Sequence, residues 1–410
     1  MASDFTWPLL GGDAELRSLL THVQMSEGLR EDGPSHQIKT KLLDIAEDMF
    51  KPARWRIPDD FLSFNHYMRT LNQLVWTSSP GLPYMRTYPN NGGMFGVVDG
   101  VPNPEKCRYW WTIVQQKIRD QFSDYIRVFI KQEPITRKKF EQNRFRLIFS
   151  VSVLDQIIDH MLFGDFNDLV IENWYNLPTK VGWSPLGGGW KIIPKSKCHA
   201  IDKRAWDWTV KMWLIELEFM LRVRLCDNMN PLWRALAFWR YKSLFMDAKF
   251  VNSGGLVFKQ KFIGVMKSGC VNTIITNSIA QILLHLRICL ELGLDISWIF
   301  SLGDDTLQEL LSDPRYLELL KQFSLVKECV IANEFAGMRY AGGVVDPLYK
   351  GKHAFNILHV NPKFGQEIAE GYSILYHRSP RGSFIKQIFK DMGYTIPSDD
   401  ALDLIWDGEE

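Results

Sequence analysis

The chain has almost no net charge. Its 48 lysines and arginines face 47 aspartates and glutamates, a formal balance of +1 over 410 residues. That balance argues against a general polyanion binder, so a nucleic-acid ligand would have to be met by clustered basic residues. Cysteine is also scarce. The six (Cys107, Cys198, Cys226, Cys270, Cys289 and Cys329) are scattered, with no C-x-x-C and no Cys/His group at zinc spacing. This argues against a zinc module, and free thiols in a reducing compartment are expected. The start carries Asp4, Asp13 and Glu15 and lacks a basic start and a long apolar run, so no signal peptide is expected. The most apolar region, Ile274 to Leu294, is interrupted by Asn277, Gln281, His285, Arg287 and Glu291. It reads as a buried helix rather than a membrane span. There is no internal repeat and no low-complexity tract, and the nine dispersed histidines suit structural roles.

What is present fits a globular protein. A hydrophobic fraction of 46% and a charged fraction of 23% are ordinary values, and the length supports a large core in two or three subdomains. The 15 tryptophans are expected to be mostly core, which leaves a minority that could stack on bases were a nucleic acid the ligand. Residues 1–78 read as short helices and loops, and 79–104, rich in Gly, Pro and Asn, as an irregular region. A helix is expected from Pro104 toward Tyr125, then a strand from Arg127 to Ile130. A second strand is expected from Phe145 to Val151, a helix from Val153 to Trp174, and a strand ending at Asp202. A helix to about Leu225 follows. After the turn Ser253-Gly254-Gly255 comes a short strand, and Lys267-Ser268-Gly269 opens the long apolar helix. A helix from Asp313 or Pro314 to about Phe323 precedes strand-like runs at 326–332 and 335–345, and from Pro362 the pattern is helical again.

Four clusters carry chemistry. Ser301-Leu302-Gly303-Asp304-Asp305-Thr306 sets two adjacent carboxylates at a glycine turn between the apolar run Trp298-Ile299-Phe300 and a mixed run from Thr306 to Leu310, which predicts a hairpin with the acids at its tip. Neighbouring acids repel, and a divalent cation is the simplest compensation. Alone, the tripeptide is equally a solvated turn. Asp202 and Asp207 form D-x4-D at a strand end, a spacing that also suits a helix cap and first-turn acid. Ser268-Gly269-x3-Thr273-x3-Asn277 puts Thr273 and Asn277 on one helical face, where polar groups need partners. The basic run holds Lys131, Arg137, Lys138, Lys139, Arg144 and Arg146. It is either a solvated face or a triphosphate clamp.

The order of these clusters closely resembles the ordered motifs of viral RNA-dependent RNA polymerases of positive-strand RNA viruses, most of all the sobemovirus and luteovirus-like group. Ser78-Ser79-Pro80-Gly81-Leu82-Pro83-Tyr84, Val181-Gly182-Trp183-Ser184-Pro185-Leu186 and Asn333-Glu334-Phe335-Ala336-Gly337 add to the resemblance, which spans about 75–345. It implies an α+β right-hand fold. Residues 1–195 would form the N-terminal region and fingers, 196–252 the first part of the palm, 253–272 a fingers/palm loop, 273–345 the second part of the palm, and 346–410 the thumb.

The resemblance also implies roles. Asp202 and Asp304 would bind two magnesium ions, with Asp305 auxiliary and manganese able to substitute. Asp207 and Asn277 would sense the ribose 2′-hydroxyl. Ser268, Gly269 and Thr273 would border template and nucleotide. Lys131, Lys139, Arg144 and Arg146 would meet the triphosphate, and Glu334 to Gly337 the growing strand. Lys327 would be the general acid, with Lys321 its rival. The expected partners are RNA template and product, ribonucleoside triphosphates, a small viral protein primer where relatives use one, and other replication proteins, with no integral membrane segment. The expected setting is the host cytoplasm, in membrane-associated replication complexes. Two alternatives remain at this point, a reverse transcriptase and a non-catalytic palm-fold RNA-binding scaffold; an unrelated two-metal phosphohydrolase is a third.

Overall fold

The computed structural model describes residues 1–408. The fold is organised by the acidic hairpin. Ile299–Leu302 and Asp305–Glu309 are antiparallel strands joined by the two residues Gly303 and Asp304. Gly303 sits at φ +60°, a backbone state that glycine enters without a Cβ clash and that tight hairpin turns require. Asp305–Glu309 pairs on its other edge with Cys198–Arg204, which pairs in turn with Leu325–Ile331. The result is a four-stranded antiparallel sheet. Its register sets Asp202 directly opposite Asp305.

Helix Thr273–Leu292 lies behind this sheet, with every residue from Ile275 to Cys289 buried. A helix apolar on all sides belongs in a core. It packs on Ile299–Leu302 and on helices His36–Met49, Met212–Arg224 and Pro314–Phe323. Among the described residues it is the one helix long and apolar enough to cross a membrane by length and composition, yet protein surrounds most of it. Two of its polar interruptions, His285 and Arg287, are satisfied internally. His285 is hydrogen-bonded to Tyr316 at 2.6 Å and to the Ser297 carbonyl at 2.8 Å, and Arg287 Nε donates to Glu291 at 2.8 Å.

A second four-stranded sheet has the order Leu147–Ser150, Ile126–Ile130, Lys249–Asn252, Val257–Lys259. The basic segment leaves it at Ile130 and returns at Leu147, and contains the short strand Ile135–Thr136 and helix Arg137–Glu141. The N-terminal strand Phe5–Thr6 pairs with Ile135–Thr136. A three-stranded meander, Glu334–Phe335, Met338–Ala341 and Val344–Pro347, follows the first sheet. Helices Lys350–Leu358, Gly365–Tyr376 and Gly382–Asp391 then pack around a small core of their own, which contains Ile357, Tyr376 and Phe389.

Several expected boundaries shift. The helix from Pro104 ends at Asp120, where Gln121 takes φ +48° and stops it. The strand carrying Asp202 runs on to Arg204, and the helix expected up to Leu225 is two, Trp206–Thr209 and Met212–Arg224. The long helix starts at Thr273, after the Ser268-Gly269 loop. Strand Lys249–Asn252, grouped by the sequence with the acid-bearing part (196–252), instead pairs in parallel with Ile126–Ile130. The break between the two sheets therefore falls before Lys249. Parallel pairing over so long a separation leaves no local sequence signal.

Candidate active site

The tip of the acidic hairpin is held from behind. Gly303 N donates to Ser278 Oγ at 2.8 Å, Ser301 Oγ donates to the Ser278 carbonyl at 2.7 Å, and Gln281 Nε2 donates to the carbonyls of Asp304 at 3.0 Å and Gly303 at 3.3 Å. One face of the buried helix thus fixes the backbone of both turn residues. Asp304 keeps access to solvent while protein crowds it on other sides, the arrangement of a cleft wall.

The acids disturb one another. Desolvation, then the charges of Asp304 and Asp202, push the Asp305 carboxyl up to about 7. Desolvation and the charge of Asp202 raise Asp304, an effect opposed by its own backbone N–H and by Arg146. Lys327 Nζ lies 2.7 Å from Asp202 Oδ2. Lys321 sits exposed in the last turn of Pro314–Phe323 and forms no ion pair among the described residues. Beneath the acids the Lys203 ammonium is buried. It donates to Thr306 Oγ1 at 3.2 Å, stands over the Trp206 ring, and desolvation pulls its pKa down to about 8.

Asp207 and Asn277 meet. Asn277 Nδ2 donates to Asp207 Oδ1 at 2.6 Å, while Asn277 Oδ1 has no partner among the described residues. Desolvation raises Asp207 to about 6, against the hydrogen bond from Asn277. Thr273 Oγ1 accepts from Gly269 N at 3.3 Å and donates to the Lys267 carbonyl at 3.0 Å, tying the Ser268-Gly269 loop to the helix start. The Ser268 carbonyl accepts from Phe149 N at 2.8 Å. Gly269 takes φ +122°, and a Cβ there would lie 2.4 Å from the Phe149 carbonyl oxygen, so the position is closed to side chains.

The basic segment overlooks the acids. The charge of Arg146 acts on both Asp304 and Asp207. Lys131 and Arg146 face Glu133 at 3.5 Å and 3.7 Å. Desolvation, with the charges of Arg144 and Lys327, lowers Lys139, and desolvation with Arg204 lowers Arg144. Glu334 pairs with Arg339 in the meander.

The acids fit a divalent metal by donor chemistry: hard carboxylate oxygens, mutually repelling, with pKa values that a cation would restore. Among the described residues no three His, Cys, Asp or Glu side chains already converge on one point, and Lys327 holds one oxygen of Asp202. Sequence reasoning missed Lys203 as part of this centre. Strand alternation could have found it, because it puts Lys203 on the face opposite Asp202, toward the core. It also missed the clustering on Glu133, which depends on long-range folding.

The architecture is that of a right-hand polymerase. It superposes on the Sicinivirus 3Dpol RNA dependent RNA polymerase with a TM-score of 0.72 at 15% identity, covering 98% of this chain and 92% of that one. Residues 30–324 match the family described as viral RNA-dependent RNA polymerase, and the chain belongs to that family. Similar relatives include the replicase polyprotein P2AB of Southern cowpea mosaic virus, 32% identical over 332 residues (75% of this chain, 34% of the relative). The P2AB of Cocksfoot mottle virus is 27% identical over 337 residues (76% and 35%), and protein P1-P2 of Turnip yellows virus 25% over 423 (90% and 39%). The chain thus spans about a third of the length of the curated relatives it matches. These similarities point to the RNA-dependent RNA polymerases and give no support to the reverse-transcriptase alternative.

Proposed function

We propose that the chain extends an RNA 3′ end on an RNA template, by two-metal nucleotidyl transfer from ribonucleoside triphosphates, in the replication and transcription of a positive-strand RNA virus. The observation that carries this reading is the register of Asp202 against Asp305 beside the Gly303–Asp304 turn, under the charge of Arg146. Asp202, Asp304 and Asp305 would hold the magnesium ions, or manganese in their place. Bound there, divalent ions would lower the pKa of the attacking 3′-hydroxyl and stabilise the departing pyrophosphate.

The remaining roles belong to the chain. Lys131, Lys139, Arg144 and Arg146 orient the triphosphate for in-line attack, since phosphoryl transfer asks for positioning and charge more than covalent help. Lys327 Nζ–H stands within reach of the acids and donates a proton to the leaving group. Asp207 and Asn277 select ribose: Asn277 Oδ1, buried and without a partner among the described residues, would accept a 2′-hydroxyl proton, a group deoxynucleotides lack, once the side chain turns toward the nucleotide. Ser268, Gly269 and Thr273 set the loop against template and nucleotide, and Glu334 to Gly337 approach the growing strand. In this reading 1–195 carries the fingers, the acid-bearing sheet with its helix the palm, and 346–410 the thumb. The working place would be membrane-associated complexes in the host cytoplasm.

The test is primer extension on a homopolymeric RNA template by the full chain, with magnesium, manganese or chelator, beside Asp304→Asn. Synthesis should need the metal and vanish in the variant while RNA binding persists. Equal synthesis by variant and parent would sink the catalytic claim for Asp304, and RNA binding without synthesis by either would favour a scaffold. Shortening rather than lengthening of the labelled primer would favour a phosphohydrolase.

A further inference from the structure

Three cations share one carboxylate above the acids. Lys131 and Arg146 reach Glu133 at 3.5 Å and 3.7 Å, and Lys352 Nζ lies 3.2 Å from Glu133 Oε2. The first two belong to the basic segment. Lys352 comes from helix Lys350–Leu358, 219 residues further along.

The fold holds that helix in place from both sides. Strand Phe5–Thr6 pairs with Ile135–Thr136, just beyond Glu133. The Phe5 ring packs on Gly351, where a Cβ would come within 2.7 Å of it, and the rings of Trp7 and Phe355 meet at 5.4 Å. At the helix start the Tyr349 ring packs on Gly337, and burial, together with Asp305, Asp202 and Asp304, raises its hydroxyl pKa. This end of the helix therefore faces the acid centre. The charge of Lys352 also acts on Lys139. One carboxylate cannot neutralise three cations, so the cluster retains an excess of positive charge facing the cleft.

We propose that Lys352 is a further phosphate-binding residue of this polymerase, and that the Glu133 carboxylate occupies the place a substrate phosphate takes. The inference rests on the polymerase reading above. Lys352 shares its acceptor with Lys131 and Arg146, which makes the incoming triphosphate the first source of that phosphate. The backbone of the growing strand is the second, because Lys352 follows Tyr349, whose ring packs on Gly337 in the turn read above as approaching that strand. An ammonium is a compact point charge that suits either.

The experiment compares full-length parent, Lys352→Ala and Lys352→Arg in steady-state primer extension and in equilibrium binding of a labelled primer–template. Loss of one charge-assisted phosphate contact should raise KM for each of the four ribonucleotides about ten-fold with little change in kcat. Lys352→Arg should restore most of it. A matching loss of primer–template affinity, with KM unchanged, assigns the phosphate to the strand and still supports the proposal. Unchanged KM and unchanged RNA affinity in Lys352→Ala overturn it, as does a fall in kcat alone that arginine does not rescue. An inactive parent would count against the polymerase reading itself, a result distinct from either.

Discussion

Lys327 Nζ forms an ion pair with Asp202 Oδ2 at 2.7 Å, across the pairing of Leu325–Ile331 with Cys198–Arg204. The bond joins the candidate proton donor to a candidate metal ligand through neighbouring strands. It also separates Lys327 from Lys321, which points out from the end of a helix. General acid catalysis contributes roughly 100-fold or more to rate. Lys327→Ala should slow single-turnover nucleotide addition by about that factor, whereas Lys321→Ala, at an exposed position, should stay within about two-fold. Equal losses in the two variants would remove the assignment.

The bond between Asn277 and Asp207 gives the second prediction. Asn277→Ala leaves Asp207 without its donor and removes the buried, unpartnered Oδ1. The preference for ribo- over deoxynucleotides should fall by about ten-fold, the scale of one lost hydrogen bond to a substrate hydroxyl. Competing ribo- and deoxynucleotide incorporation on one template measures it. A preference unchanged in the variant would mean that the 2′-hydroxyl is read elsewhere.

How much of this was legible beforehand depended on the range of the contact. The hairpin at Gly303 followed from local alternation and turn chemistry, and helix Thr273–Leu292 from its apolar length. The shared face of Thr273 and Asn277 followed from helical spacing, although Asp207 as the partner of Asn277 did not. The charged residues inside the core were invisible. Lys117, Asp124, Asp155, Asp159 and Arg240 form a buried ion-pair network that a composition-based reading assigns to the surface. Lys203 faces inward because strand pleat turns it there. Lys352 reaches Glu133 only because the N-terminal strand bridges their elements, and no spacing in the sequence encodes that.

Gly269 tests the loop. Alanine there must move the Phe149 carbonyl, a backbone group, in addition to adopting φ +122°. Gly255 also has positive φ (+81°) but has nothing within 4 Å of a Cβ. Gly255→Ala should cost about 1 kcal/mol of stability and leave synthesis near the parent level. Gly269→Ala should cost about 1–3 kcal/mol and reduce extension at least about ten-fold, because the strain falls on the loop that Thr273 fixes. Primer extension and denaturant unfolding of both variants check the contrast.

Lys267 gives a pH prediction. Its side chain is 1% exposed, donates to the carbonyls of Gly264 and Val265 at 3.0 Å and 2.7 Å, and burial pulls its pKa from 10.5 down to about 7. Between those values the unfolded chain binds the proton more than the folded one, so this group makes stability rise with pH from about 7 toward 10.5. Below about 7 both states are protonated and its contribution is flat. Lys267→Met should therefore lose stability relative to the parent as pH rises from 7 to 9, measured by urea unfolding at fixed salt. A constant difference across that range would place the folded-state Lys267 pKa above it.

Glu218 ties the helices behind the site. It is fully buried and accepts from Arg222 Nε and Tyr241 Oη, each at 2.6 Å, and from Thr276 Oγ1 at 3.3 Å. Met212–Arg224, Pro231–Phe245 and Thr273–Leu292 thus meet on one carboxylate, and the last of these carries Ser278 and Gln281, which hold the Gly303–Asp304 tip. Arg222 is equally buried, its guanidinium 4.7 Å from the centre of the Phe166 ring, and its two terminal nitrogens have no other partner among the described residues. Glu218→Ala would strand that cation and should destabilise by about 3–5 kcal/mol, whereas the double change Glu218→Leu with Arg222→Met should recover part of the loss, since a buried pair replaced whole is often near neutral while the Tyr241 hydroxyl is still left without its acceptor. Because the helix positions the acids, kcat should fall in Glu218→Ala under conditions where it is still folded and return in the double variant. If both variants match the parent in unfolding midpoint and kcat, the acids do not depend on this junction for their placement.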